Sequence, residues 1–379
     1  MGTVNKGATL NAGYNLEATR ELILAPIFES DNVLGRVSTA LEIPLYDVAY
    51  NVKEKRKFKR IGKMGPVSKA RTNCSTWNPT VIQTSVDSEF SVHAFEVEAE
   101  MCADEFTGIW ENIRGAGNNM NSTEGELAAQ LEGALVDRIK SSMKDDIFRQ
   151  VWFSETAFTT THATGLAKLN MNVRTVLETQ MPQFNGFWPT IETRVTASQI
   201  AYVDSYNGAT RYATSANITA WLEKMLDGAS DEMDGFVNDG QAAFLVHRAF
   251  FKAFRQYLQG LGTEMANRFI IDGNTVKNVL MYDGIPVVEV PEWKQFDTML
   301  DTDGGKGYER GLLVVGGNLQ IGTDAASPTG TGDAQGLLIY QSPELSAKGK
   351  TEMYAAYRLG TGIAYNDLIV ASYNSTTLP

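Results

Sequence analysis

From residue 123 to residue 153 apolar side chains return at every fourth position: Leu127, Leu131, Leu135, Ile139, Met143, Ile147 and Val151, with Ala128, Ala134 and Phe148 beside them. Ahead of the run, Thr123 and Glu126 have the T-x-x-E spacing of a capping box, in which hydroxyl and carboxylate satisfy backbone N–H groups of the first turn. The pattern predicts a helix over 123–153, about 45 Å long at 1.5 Å per residue. A step of four residues turns the stripe by about 40° on a 3.6-residue helix, so it winds around the axis and holds no coiled-coil seam. The seven stripe residues are therefore expected to be the core contacts of a spine that meets different neighbours along its length.

Upstream the period shortens. Residues 1–44 carry one short candidate helix, Leu16 to Leu24, ended by Pro26, and are expected to form an arm. From Leu45 the chain becomes extended through Val48, Tyr50 and Val52, passes Gly62, Gly65 and Pro66, and returns through Val81, Ile82, Thr84, Val86, Phe90, Val92, Phe95 and Val97. Glycine and proline turn the chain, and β-branched and aromatic residues favour strands. The prediction is a long two-stranded excursion over 45–100. An isolated two-stranded ribbon is marginal in water, so arm and hairpin are expected to find their apolar partners on another subunit.

Downstream, a Thr-rich stretch punctuated by proline, Ser154 to about Thr193, gives way to an α/β alternation over 196–345. Ile218, Trp221, Leu222 and Met225 predict a helix stopped by Gly228, and Phe250, Phe251, Phe254, Tyr257 and Leu258 predict another closed by Gly260. Strands are expected at Ala242–Val246, Phe269–Ile271, Val276–Met281 and Ile285–Val290, the last three joined by Asp-Gly turns. Gly311–Ile321 and Leu337–Tyr340 each predict one further strand. The chain closes with an extended Met353–Arg358 and a strand over Leu368–Tyr373, within a last segment 346–379. There is no internal repeat.

The 379 residues, 43% of them hydrophobic, can bury a sizeable core. No run approaches the roughly 20 apolar residues of a membrane span, and the N-terminus has no apolar signal region, so no membrane role and assembly in the cytoplasm are expected. Cys74 and Cys102 make no disulfide framework or metal motif. The net charge of −12 conceals a sharp split. Lys53, Lys55, Arg56, Lys57, Lys59, Arg60, Lys63, Lys69 and Arg71 lie in one stretch with a single acid, Glu54. Taking these from the 33 basic and 45 acidic residues of the chain leaves 24 and 44, a net of −20. A basic segment on an acidic body suits either nucleic acid or the acidic surface of a second copy.

Catalytic chemistry has little to stand on. His93, His162 and His247 are far apart in sequence and belong to no nucleophile or zinc motif, so each is expected to be structural. Gly304–Gly307 lacks the serine or threonine of a phosphate loop, and Gly330, Gly332 and Gly336 miss dinucleotide spacing. The acidic run Asp227–Asp239 lacks the order of a calcium loop. No cofactor or metal is implied. Single-stranded nucleic acid calls for aromatics among the cations, yet Phe58 alone lies in the basic stretch, which favours contact between subunits.

The order of arm, charged hairpin, spine helix, α/β domain and return strands resembles the major capsid proteins of tailed bacteriophages, the Hong Kong 97-like fold. In that comparison 45–100 is similar to the extended loop, 101–195 to the peripheral domain with its spine helix 123–153, 196–345 to the α/β axial domain, and 346–379 to return strands of the peripheral domain. The quoted segments are LMYDGIPVVEVPEW (280–293), LLVVGGNLQIG (312–322) and TEMYAAYRLGTGIAYNDLIVASY (351–373). The resemblance implies an α+β fold and a non-enzymatic shell protein of the virion. It would assemble as hexamers and pentamers in the host cytoplasm around double-stranded DNA contacted non-specifically, with portal and decoration proteins. About forty residues precede the hairpin, which implies a separate scaffolding protein. Lys63 and Lys69 lie near the expected loop tip, but no partner Asn can be matched, so no cross-link is expected. An encapsulin-like compartment is the alternative within the fold, and a cytosolic hydrolase the alternative outside it.

Overall fold

A computed structural model describes residues 46–61, 85–102, 141–204, 215–260, 269–272, 275–278, 280–300, 310–324, 337–340 and 350–373. Two sheets organise them. In the first, the long strand β14 (Lys350–Ile363) is central. Along one edge β14 pairs with β12 (Leu319–Thr323) and then β13 (Leu337–Tyr340), and along the other with β4 (His93–Cys102), in antiparallel register from Leu359↔His93 to Lys350↔Cys102. β1 (Tyr46–Ala49) adds a parallel edge to β12.

The second sheet runs β5 (Ala201–Asp204), β15 (Ile369–Tyr373), β11 (Gly311–Val315), β6 (Ala242–Val246), β10 (Ile285–Glu289), β9 (Leu280–Tyr282). Its three middle strands, AAFLV, GLLVV and IVASY, are buried at every position. A strand covered on both faces reads as a continuous apolar run, which is why these segments do not alternate. Alternate side chains serve two cores. Phe244, Val246, Leu313 and Val370 face helices α6 (Ser215–Asp227), α7 (Asp231–Asn238) and α8 (Arg248–Gly260). Ala243, Leu245, Leu312, Val314 and Ala371 face the other way. They meet the helix over 141–153 (α1), α5 (Phe187–Thr196) and α9 (Pro291–Leu300), together with Leu319, Ile321, Leu359 and Ile363 of the first sheet.

Three expectations change. The apolar run Gly311–Ile321 forms two strands in different sheets, because Gly317, at φ +72°, turns the chain between β11 and β12. The strands after residue 346 also separate: β14 lies in the first sheet, while β15 pairs with β11 and β5 of the α/β segment. Buried Asn318 fastens these two crossings to each other. Its Nδ2 donates to the carbonyls of Tyr365 and Leu368 at 2.9 and 3.2 Å, and its Oδ1 accepts from Tyr365 N at 2.8 Å. Third, the expected strand Val276–Met281 forms two, β8 (Thr275–Asn278), which pairs with β7 (Phe269–Asp272), and β9 in the second sheet. The Thr-rich stretch is helical, with α2 (Phe158–Thr161), α3 (Ala163–Leu166), α4 (Met171–Gln180) and α5. Threonine hydroxyls in α4 bond back to the carbonyl four residues earlier, Thr175 to Met171 at 2.9 Å and Thr179 to Thr175 at 3.1 Å, and Asn170 caps the helix.

The acidic run likewise becomes part of a helix. Ser230 caps α7 by accepting from Met233 N at 3.1 Å, and Asp231, Glu232 and Asp234 occupy the first turn, where the helix dipole favours negative charge. Among the described residues no helix is long and apolar enough to cross a membrane.

Candidate assembly interface

The basic stretch begins in β2 (Lys55–Ile61), which pairs antiparallel with β3 (Ser85–Ser91) from Lys55↔Ser91 to Ile61↔Ser85. Among the described residues no third strand joins this ribbon. Strand alternation sets Lys55 and Lys57 on one face and Arg56 on the other. The register places Glu89 opposite Lys57 and Asp87 opposite Lys59. Glu89 lies 3.7 Å from both Lys55 Nζ and Lys57 Nζ, yet all three side chains stay more than half exposed. Exposed ion pairs of this kind contribute about 0–1 kcal/mol, so the ribbon gains little from its own charges and keeps them available to another surface. The returning strand thus brings acids to the basic one, a balance that a count over residues 53–71 does not include.

The base of the ribbon, contrary to expectation, has apolar partners in its own chain. Phe90 is buried with Ala49 and Val52, and Val92 packs beside them. The ring rests where the first sheet has glycine: a Cβ on Gly362 of β14 would come within 2.6 Å of Phe90 Cδ1, and one on Gly322 of β12 would overlap the same ring. Gly360 admits the backbone of Ser91 and Val92 in the same way. Glycines at alternate positions of a strand mark a close approach of this sort, so L-G-T-G (359–362) was the signal available in the sequence. Polar contacts complete the anchorage. Val52 N donates to Thr323 O and Val92 N to Glu54 O, each at 2.9 Å. Arg358 donates to Lys53 O, and its own backbone N donates to Asp324 Oδ1 at 2.8 Å.

Of the expected contact residues, Lys53, Lys55 and Lys57 are exposed and Arg56 is half-buried at the ribbon base. Lys59 and Arg60 are placed by register, and Lys63, Lys69 and Arg71 lie outside the described residues. Of the spine stripe, Met143, Ile147 and Val151 are buried, while Leu127, Leu131, Leu135 and Ile139 lie outside the described residues. Each histidine is held by packing and polar contacts. His93 stacks on Phe184 and faces Ser91 Oγ at 3.1 Å. His162 lies against Phe158 and Phe296 with Glu155 at 3.7 Å, and burial together with Arg310 lowers its pKa to about 4. His247 precedes α8 and faces Asp297. Among the described residues no group of three or more His, Cys, Asp or Glu is arranged to hold a metal.

No protein-family model and no curated protein matches the chain. Solved structures do. A chain of the satellite phage P4 procapsid that includes the size determination (Sid) protein is 12% identical, with a TM-score of 0.48 over 94% of this chain and 98% of that one. A chain of the native GTA particle capsid is 11% identical, with a TM-score of 0.44 over 91% of each. The capsid of cyanophage P-SCSP1u gives 10% identity and a TM-score of 0.43 over 88% of this chain and 87% of that one. Each is a likeness in the course of the backbone.

Proposed function

We propose that this chain is a shell-forming structural protein, the major capsid protein of a tailed bacteriophage or provirus, and that its basic ribbon holds neighbouring copies together. The observation that carries the reading is a two-stranded ribbon fixed at its base, with Lys55 and Lys57 exposed on its basic strand, on a chain whose net charge outside residues 53–71 is −20. A base wedged by Phe90 sets the direction of the ribbon, and exposed lysines give it a partner of opposite charge wherever it meets another copy. The order of elements in the sequence supports the same reading. Hexamers and pentamers of this chain would form the virion shell in the host cytoplasm, around DNA contacted without sequence preference. Scaffold, portal and decoration proteins would complete the particle.

Reversing Lys55, Arg56, Lys57 and Lys59 to Glu tests the proposal. The circular dichroism of the monomer should be unchanged, because exposed charges contribute little to its core, while light scattering under assembly conditions should show no particles. Normal shells from the reversed chain would overturn the role of the ribbon. Intact shells that have lost only DNA binding would assign the segment to the genome.

A further inference from the structure

His247 stands between β6 and α8, fully buried, and it caps the helix with its ring. Nδ1 accepts the N–H of Ala249 at 3.0 Å, and the His247 carbonyl accepts that of Phe251 at 3.0 Å. The other ring nitrogen, Nε2, faces Asp297 Oδ2 of α9 at 3.5 Å. These contacts define the tautomer: a nitrogen that accepts carries no proton, so the neutral ring holds its proton on Nε2, towards the carboxylate. The second oxygen of Asp297 lies 3.6 Å from Arg310 Nη1, and the Arg310 guanidinium sits over Phe153 and Trp188 at 5.2 and 5.4 Å. Lys294 of α9 also acts on the ring, and Glu192 of α5 acts on Arg310. Arg248 and Glu289 pair at 3.5 Å on the more open flank.

A second proton can enter this ring only at Nδ1, the atom that caps the helix. We propose that His247 is an acid-released cap, in which protonation of Nδ1 frees the first turn of α8 from the buried cluster of Asp297 and Arg310. An N–H on Nδ1 would face the N–H of Ala249 and the positive end of the helix dipole, so the bond is lost and replaced by repulsion. Serine and asparagine caps accept at any pH and have no such switch. Burial, followed by Arg310 and Lys294, lowers the imidazole pKa to about 4, so the capping form persists at neutral pH and is released as pH falls towards that value. Release reaches the second core, because α8 seats Phe250 against Trp221, with ring centroids 4.3 Å apart.

Hydrogen exchange of residues 247–260, corrected for intrinsic rates, at pH 7 and pH 4 tests this in the full chain. With about half of the rings protonated at pH 4, wild type should lose protection in the first turn of α8 by about fivefold, half the scale of a lost cap, and His247→Asn, which caps without titrating, should retain it. Equal losses in both chains would overturn the proposal. Should His247→Asn fail to fold, the wild-type ring titration by NMR decides: the His247 ring and the Ala249 amide must change with one midpoint, and two separate midpoints refute the cap.

Discussion

A Cβ on residue 362 would lie 2.6 Å from the ring of Phe90, inside any normal carbon–carbon contact, so the glycine there is a steric requirement of the ribbon base. Gly362→Val should push Phe90 from its seat and destabilise the chain by about 1–3 kcal/mol, as overpacking does. Urea denaturation would show the loss, and limited trypsin cleavage at Lys55 and Lys57 should quicken as the ribbon base loosens. An unchanged midpoint with unchanged cleavage would mean that Phe90 does not anchor the ribbon. Phe90 itself is an ordinary aromatic in a strand-like segment. Its role emerges only with the two glycine-bearing strands beneath it, which lie more than two hundred residues away in sequence.

At the scale of elements, α1 presents Met143, Ile147 and Val151 to the core shared by both sheets. Ile147→Ala should cost about 2–5 kcal/mol, the range for large-to-small changes in a packed core. Melting at the parental temperature would show that the stripe is not a core face. That stripe was legible because a four-residue recurrence suits only a helix, and the Asp283–Gly284 hairpin because both residues take positive φ, as a two-residue turn requires. Other elements left weaker marks. α4 is rich in threonine, whose preference for strands is overcome locally by bonds to preceding carbonyls, and α9 begins with Pro291 at its first position, directly behind a strand. The run 311–321 is apolar throughout, and hydrophobicity cannot say at which glycine a chain changes sheets. The nine cations of the candidate interface were plain in the sequence. The acids that stand opposite them in register, Asp87 and Glu89, were not, since which residues face each other across strands depends on register.

For the molecule as a whole, acid should act through His162, which is largely shielded from water. His162 has its pKa lowered from 6.5 to about 4 by burial and by Arg310, so between those values the unfolded chain binds a proton that the fold refuses. Stability from this group is complete above pH 6.5 and declines as pH falls towards 4. Asp146 and Glu192, raised by burial, act in the opposite sense. Replacing His162 with Gln isolates the histidine: the stability of wild type relative to the variant, from urea melts at pH 7, 5.5 and 4.5, should shrink step by step, and parallel profiles would exclude it. The paired crossings at Asn318 have a mechanical meaning. A pull on the ribbon enters the first sheet through the backbone of β1 and β4, which are bonded along β12 and β14, and those two strands leave that sheet side by side, at Leu319 and Ile363. They continue into β11 and β15, which are themselves neighbours from Val314↔Ile369 onward. Tension is therefore carried by two tied strands loaded along their length, so the hydrogen bonds of both sheets are sheared together and are not peeled open one at a time.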